Sequence, residues 1–442
     1  MTRLLRVIVP AALLLGGCAS SGPELKPAPA AAAGAPAGAV ALAVSPEQVI
    51  APVNRNVLGG FNFGNWMQVA DFAEDLRAVH PAELRFPGGE IGDRTDLTEY
   101  VFAAFQANVT ILGNPGAVVQ TRVGGKSMTG GAVHNRPEDA AEAVRWAKAK
   151  GIQVRYWEIG NEPDLYAVKQ SDPGYSPEKY CQVFRAQAAA IKAVDPAARV
   201  AGPAVSGAPG RDQFLEGFVT ACGDVVDVLT WHVYPTTGAL EDGPAFDTVR
   251  EIDDTIDAFT AYWADPAKNP KGSTRKVGLA VTEYGLSSRS DRVHHLADLP
   301  AAMWTLEAAL RMDARGAASA HYFALQATGG HGLLDQSGAR RPTWYAFALL
   351  AQLSGDLVAA STADPDLWTH AARDGDRLDV VITNRAAAPK ALATRVAGFK
   401  LQSGTYFDEA ITADEKSAAA IAAAPAVTLP ARSVVHLVYR KG

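Results

Sequence analysis

From residue 57 onward, short apolar and β-branched runs alternate with longer stretches whose apolar positions recur at helical spacing. That is the pattern of repeated strand–helix units. Strands are predicted at 57–62, 83–86, 117–123, 152–157, 198–205, 225–235, 276–283 and 319–325. Helices are predicted at 66–80, 97–107, 137–150, 211–220, 246–263 and 296–314, and another begins at Ser176-Pro177-Glu178 with a serine cap and proline in its first turn. The 137–150 segment is amphipathic, with Ala141, Val144, Trp146 and Ala147 toward one side. Strands alternating with helices in this number predict an α/β fold, a (β/α)8 TIM barrel spanning 54–345.

After a further helix at 343–353 the pattern changes. Residues 378–383, 391–396 and 433–439 are alternating or β-branched, and no long helix separates them. The alanine-rich 417–424 reads as a loop between strands. Residues 346–442 are therefore expected to form an antiparallel β-sandwich, to which 41–53 could add a strand.

Composition narrows the function class. The 442 residues are 48% hydrophobic and 20% charged with a net charge of −6. The chain can bury a large core, and it lacks the basic excess that nucleic-acid binding leaves. The first residues have a different character. Met1-Thr2-Arg3-Leu4-Leu5-Arg6 is a basic start, 7–15 is an apolar run too short for a spanning helix, and Leu15-Gly16-Gly17-Cys18 follows. This resembles the bacterial lipobox. The resemblance implies a signal peptide over 1–17, acylation of Cys18, and anchoring to the cell envelope through lipid. Ala19 in the next position implies the outer membrane. Residues 18–40, rich in Ala and Pro, are expected to be a disordered tether. Besides Cys18 the chain has Cys181 and Cys222. One falls near the start of a predicted helix and the other near the end of the next, toward opposite rims of a barrel, which argues against a bridge.

The candidate chemistry lies at strand ends. The fourth strand runs into Tyr156-Trp157-Glu158-Ile159-Gly160-Asn161-Glu162-Pro163, and the seventh into Val281-Thr282-Glu283-Tyr284-Gly285. Each delivers a carboxylate to the C-terminal end of a strand, where a barrel keeps its active site. Two carboxyl groups about 5–5.5 Å apart suffice for retaining glycoside hydrolysis. Two carboxyl groups and water need no metal or organic cofactor. Glu158, four residues before Glu162, is expected to point into the barrel as a buried structural carboxylate. His294-His295 and Asp253-Asp254 read as solvated surface, and none of the Gly-Gly pairs fits a phosphate-binding loop.

These two motifs resemble the acid/base and nucleophile motifs of clan A glycoside hydrolases. Arg85-Phe86-Pro87-Gly88-Gly89, Trp231-His232-Val233-Tyr234-Pro235 and the Gly332-Leu333-Leu334-Asp335 junction with Trp344-Tyr345-Ala346-Phe347 resemble further signatures of that clan, over roughly residues 45–442. The resemblance implies Glu162 as acid/base with a raised pKa and Glu283 as an ionised nucleophile held by Arg85 and Tyr234. It also implies Asn161 on the sugar 2-hydroxyl and His232 positioning Glu162 or the sugar. Trp66 and Tyr322 are candidate sugar platforms. The expected substrate is an oligo- or polysaccharide. Pro163 and Thr282-Glu283-Tyr284 fit the xylosidase, glucuronidase and endoglucanase patterns better than the α-L-arabinofuranosidase one. A barrel that binds glycan without turnover is the alternative from another class.

Overall fold

The computed structural model describes residues 38–124, 135–208, 210–289, 291–327 and 329–442. The signal-peptide, tether and Cys18 expectations therefore lie outside the described residues. Among those residues no helix is long and apolar enough to cross a membrane.

Strand β1 (Val40–Pro52) comes first. Eight strands then close a parallel barrel in chain order: β2 (Gly60–Asn62), β3 (Glu83–Phe86), β4 (Gly116–Thr121), β5 (Val154–Ile159), β6 (Val200–Val205), β7 (Val228–Val233), β8 (Gly278–Tyr284) and β9 (Ser319–Tyr322). The ring closes through Phe61 of β2 opposite Tyr322 of β9. Two early assignments differ from expectation. Val57 and Leu58 belong to a helical turn, Arg55–Leu58, because Asn54 caps it by accepting from the Asn56 amide. In 66–80 only Ala73–Ala78 is α-helical, preceded by one 3-10 turn at Ala70–Phe72.

Strand alternation divides the barrel interior into layers. Val118, Tyr156, Ala201, Val228 and Ala280 form an apolar plug at the bottom. Two residues further along their strands, Gln120, Glu158, Thr230 and Thr282 are buried and polar. The opposite faces, among them Trp157, Leu229, Trp231 and Val281, pack on the helical layer. The last long helix, Leu299–Ala314, is buried almost all round. Its outward residue Glu307 meets His370 of the C-terminal domain at 2.7 Å, so the side usually left to solvent is an interdomain contact.

That domain contains β10 (Asp356–Thr362), β11 (Leu367–Asp374), β12 (Arg377–Asn384), β13 (Lys390–Ala393), β14 (Phe399–Asp408), β15 (Ala419–Ile421), β16 (Ala426–Leu429) and β17 (Ser433–Lys441). β1 pairs antiparallel with β10 along most of its length and parallel with β13 through Val40 and Ala41. The sandwich is thus antiparallel except at this junction, where β1 bridges its two halves. Val380, Ile382, Val435 and Leu437 fill the sandwich core, while Val381 and Val434 between them join the barrel's core. Period-two alternation builds both the domain and its seat on the barrel. The 417–424 loop contains a short edge strand, β15.

Cys181 and Cys222 form a disulfide, with 5.8 Å between Cα atoms, against the expectation of opposite rims. The helix Arg211–Cys222 is a turn and a half shorter than its neighbour Pro177–Val194. Gly217 abuts Pro177, and Arg185 pairs with Asp224. The end of the short helix therefore meets the first turns of the long one.

Candidate active site

Glu162 follows β5 through two backbone turns. Gly160 has φ +85 and lies close against Val123, and Glu162 itself is left-handed at φ +48. A non-glycine residue is held there only at a cost of order 1–3 kcal/mol, and such strain clusters at functional sites. The Glu162 amide donates to the Ala204 carbonyl at 2.8 Å, fixing the turn against β6.

Glu283 reaches the same mouth by another device. Ala280 and Thr282 face inward, so strict alternation would turn Glu283 outward. The β7–β8 register slips between Trp231↔Val281 and His232↔Glu283. That bulge re-aims the carboxylate beside His232.

Arg85 ties these groups together. It is fully buried. Its Nε donates to Glu158 at 2.5 Å, Nη1 to Glu283 Oε1 at 2.7 Å and Asn62 Oδ1 at 2.9 Å, and Nη2 to Asn161 Oδ1 at 2.7 Å. Burial opposes the charge on Arg85, but Glu158 and Glu283 outweigh it and raise the pKa. Burial likewise opposes ionisation of Glu158, and Arg85 leads the groups that hold it below its usual value. Glu158 is the structural carboxylate expected. Glu283 Oε2 also accepts from the Tyr234 hydroxyl at 2.9 Å.

His232, fully buried, lies between the two carboxylates, with Nδ1 3.2 Å from Glu162 Oε1 and 3.7 Å from Glu283 Oε2. One oxygen of each glutamate and a His232 nitrogen all lie within 4.8 Å of one another. Glu162 Oε2 accepts from Lys169 Nζ at 2.5 Å. Burial would raise the Glu162 carboxyl, but the His232 hydrogen bond and Lys169 win and hold it at about 2. The expectation of a raised value is thus corrected for the ligand-free site: His232 first, and the ammonium of Lys169 after it, keep the group ionised.

The two carboxylates open into a cleft of about 600 Å³, whose lining includes Lys169, Tyr234, Thr236, Ser288, Phe323 and His331. Tyr322 is not a platform. It is buried between Tyr284 and Phe347 in the helical layer. The next residue, Phe323, lines the cleft instead, and Gly89 at φ +68 makes room for its ring: a Cβ there would come within 2.8 Å of it. Trp66 is 43% exposed, against Gly64, and is not part of the lining.

Sequence reasoning missed Lys169, Asn62 and Asp93. Asn62 ends β2 as Glu283 nearly ends β8, so its strand-end position was the available signal. Lys169 occupies a four-residue helix, Tyr166–Lys169, that no periodicity marks. Asp93 is buried under Tyr166, which donates to it at 2.9 Å. Burial pushes its carboxyl up to about 7 against that hydrogen bond.

No family model matches the chain. It is 26% identical over 255 residues to a β-xylosidase of Caldicellulosiruptor saccharolyticus, covering 52% of this chain and 49% of that protein. The match thus spans about half the length of the curated relative. Among solved structures, an α-L-arabinofuranosidase of Thermotoga maritima superposes with a TM-score of 0.69 at 14% identity, covering 90% of this chain and 99% of that one. A family 44 endoglucanase of Clostridium acetobutylicum superposes at 0.65 with 14% identity, over 91% and 99%. A bifunctional glucanase-xylanase from a metagenome gives 0.64 at 16%, over 91% and 99%. The resemblance first carried by short strand-end motifs thus extends to the fold of nearly the whole chain: it has the barrel-and-sandwich fold of these arabinofuranosidases and endoglucanases.

Proposed function

We propose that the protein is a retaining glycoside hydrolase acting on O-glycosidic bonds of an oligo- or polysaccharide by double displacement. One observation carries the reading. Oxygens of Glu162 and Glu283 lie within 4.8 Å of each other at the floor of one cleft, close to the short spacing of retaining enzymes and well below the roughly 6.5–9.5 Å that inversion needs for an interposed water. Glu283 attacks the anomeric carbon, with Arg85 and Tyr234 fixing its two oxygens. Glu162 protonates the departing oxygen and then takes a proton from the water that hydrolyses the glycosyl-enzyme. Asn161 has its carbonyl oxygen engaged by Arg85, which leaves its NH2 end to meet the sugar 2-hydroxyl. His232 steers Glu162.

The relative named as a β-xylosidase supports a β-xylosidase-like glycone; the arabinofuranosidase likeness supports the second reading, an α-L-arabinofuranosidase. A panel of aryl glycosides and polysaccharides, with E162Q and E283Q as controls, tests both and the inactive-binder alternative. Hydrolysis by wild type and its loss in E283Q are expected. Glycan binding with equal inertness in all three proteins would sink the hydrolase reading. First release of the inverted anomer, followed by NMR, would sink the retaining mechanism alone. The Leu15-Gly16-Gly17-Cys18 sequence supports a lipid anchor, and Ala19 after it supports the outer membrane. Incorporation of labelled fatty acid, absent in C18S, is the expected result.

A further inference from the structure

Away from the cleft, three side chains from two loops converge on one point. Asp242 follows β7 and opens the short helix Asp242–Asp247, whereas His294 and His295 precede the helix Leu299–Ala314 after β8. Asp242 Oδ1 lies 3.1 Å from His295 Nε2 and 3.7 Å from His294 Nε2, and all three atoms are within 4.8 Å of one another. The surface assignment of this pair is corrected for His295, which is fully buried. The two rings lie against each other, centroids 3.7 Å apart and tilted by 33°.

We propose that Asp242, His294 and His295 form a binding site for a divalent cation of the zinc type. Zinc–nitrogen and zinc–oxygen bonds of about 2.0–2.2 Å in a tetrahedron set ligand atoms roughly 3.3–3.6 Å apart. The two measured separations bracket that range. The surrounding atoms suit a bound cation. His294 Nδ1 is 3.4 Å from Asp298 Oδ2, while its Nε2 faces both Asp242 Oδ1 and the Leu240 carbonyl at 3.3 Å. Oxygens thus face both ring nitrogens of His294, and a cation seated on Nε2 would meet the Asp242 and Leu240 oxygens while Asp298 supports the ring from behind. A carboxylate behind the other ring nitrogen is the usual support of a metal-bound histidine. Asp298 is itself fixed, accepting from the His295 and Ala301 amides. Arg432 of the sandwich holds Asp242 Oδ2, leaving Oδ1 for the ion. His294 is exposed on its outer side, which leaves room for water as a further ligand.

The ion would join the loops after β7 and β8, whose neighbouring residues Thr236, Thr237 and Ser288 line the cleft, and would tie both to the sandwich through Arg432.

The test is equilibrium dialysis of the purified full chain against zinc, with elemental analysis of bound metal and the visible absorption of a cobalt-substituted sample. One zinc per chain at micromolar zinc is expected, with a tetrahedral cobalt spectrum and a zinc-dependent rise in Tm. H294A, at an exposed position that folding does not require, and H295A should each weaken binding by about tenfold or more. R432M and E283Q should keep it, the latter separating this site from the active-site carboxylates. Wild type that retains no zinc overturns the proposal. So does zinc binding unchanged in H294A and H295A, or binding lost in E283Q.

Discussion

Glu162 and Glu283 share one cleft, yet their surroundings are built on opposite principles. Glu283 is held by groups from inside the barrel: Arg85 is fully buried and donates four hydrogen bonds, one each to Glu158, Asn62, Asn161 and Glu283, and Tyr234 takes the other oxygen. Glu162 shares buried His232 with Glu283, but its cation comes from the rim: the ammonium of Lys169, whose side chain is 36% exposed on a single-turn helix. A permanent, immobile cation suits the nucleophile role proposed for Glu283. A solvent-facing lysine that a sugar can displace suits a group that must change protonation twice in one turnover. The chemistry of the two carboxylates is thus written in where their counter-charges are anchored.

Removing each carboxylate tests that division most strongly. E283Q is expected to lose on the order of 10⁵-fold in kcat/KM on every substrate, since the nucleophile has no substitute. E162Q should lose about 10²–10⁴-fold on poor leaving groups and much less on dinitrophenyl glycosides, whose departure needs no proton. Added azide should restore turnover in E162Q as a glycosyl azide of retained configuration. Equal losses in both variants across good and poor leaving groups would erase the distinction.

Arg85 comes next, because its loss takes one donor from each of four buried acceptors. R85M leaves Glu158 as a fully buried carboxylate without its ion pair. Breaking such a pair costs about 3–5 kcal/mol, read as a fall in urea midpoint at pH 7. At acidic pH, where Glu158 can take up a proton, the deficit should shrink. A variant as stable as wild type at pH 7 would contradict the picture of Arg85 as the anchor.

The disulfide bears on the Glu162 side alone, since it joins the helices after β5 and β6. It closes a separation of 41 residues, so C181S/C222S should lose about 2–4 kcal/mol of stability. kcat/KM at low temperature should stay at the wild-type value, because neither sulfur approaches the cleft. A large loss of activity in a folded C181S/C222S protein would mean that the wall behind Glu162 needs the bridge for its geometry.

The sequence made some of this visible and concealed the rest for physical reasons. Strand ends bearing Glu162, Glu283, Arg85 and His232 were legible because parallel buried strands are short apolar runs that stop at glycine or proline. The inward direction of Glu283 was not, because it depends on a register slip against β7. A one-residue phase error also made Tyr322 a platform, when Phe323 faces the cleft. Cys181 and Cys222 meet because the shorter helix is also offset along its neighbour, with Gly217 against Pro177. Lys169 and the burial of His295 depend on loop conformations that carry no periodicity. Strands β10, β11 and β14 escaped notice since half-buried strands such as Phe399–Asp408 are nearly as polar as loops.

The smallest expected effect sharpens the comparison furthest. Lys169 adds to His232 in favouring the ionised form of Glu162, so replacing it with methionine must raise that carboxyl part of the way back toward its usual value. The protonated acid then persists to higher pH. In K169M the alkaline limb of kcat/KM for an aryl glycoside should therefore move to higher pH, while the acid limb stays in place. Near the wild-type optimum the rate should change only about tenfold or less, and K169R should restore the original profile. In wild type the sugar would do the same by prising the ammonium from Glu162 as it binds, so the acid becomes protonated when substrate is present. A profile identical in wild type and K169M would mean that the rim cation does not govern Glu162. The contrast with the buried anchor of Glu283 would then rest on position alone.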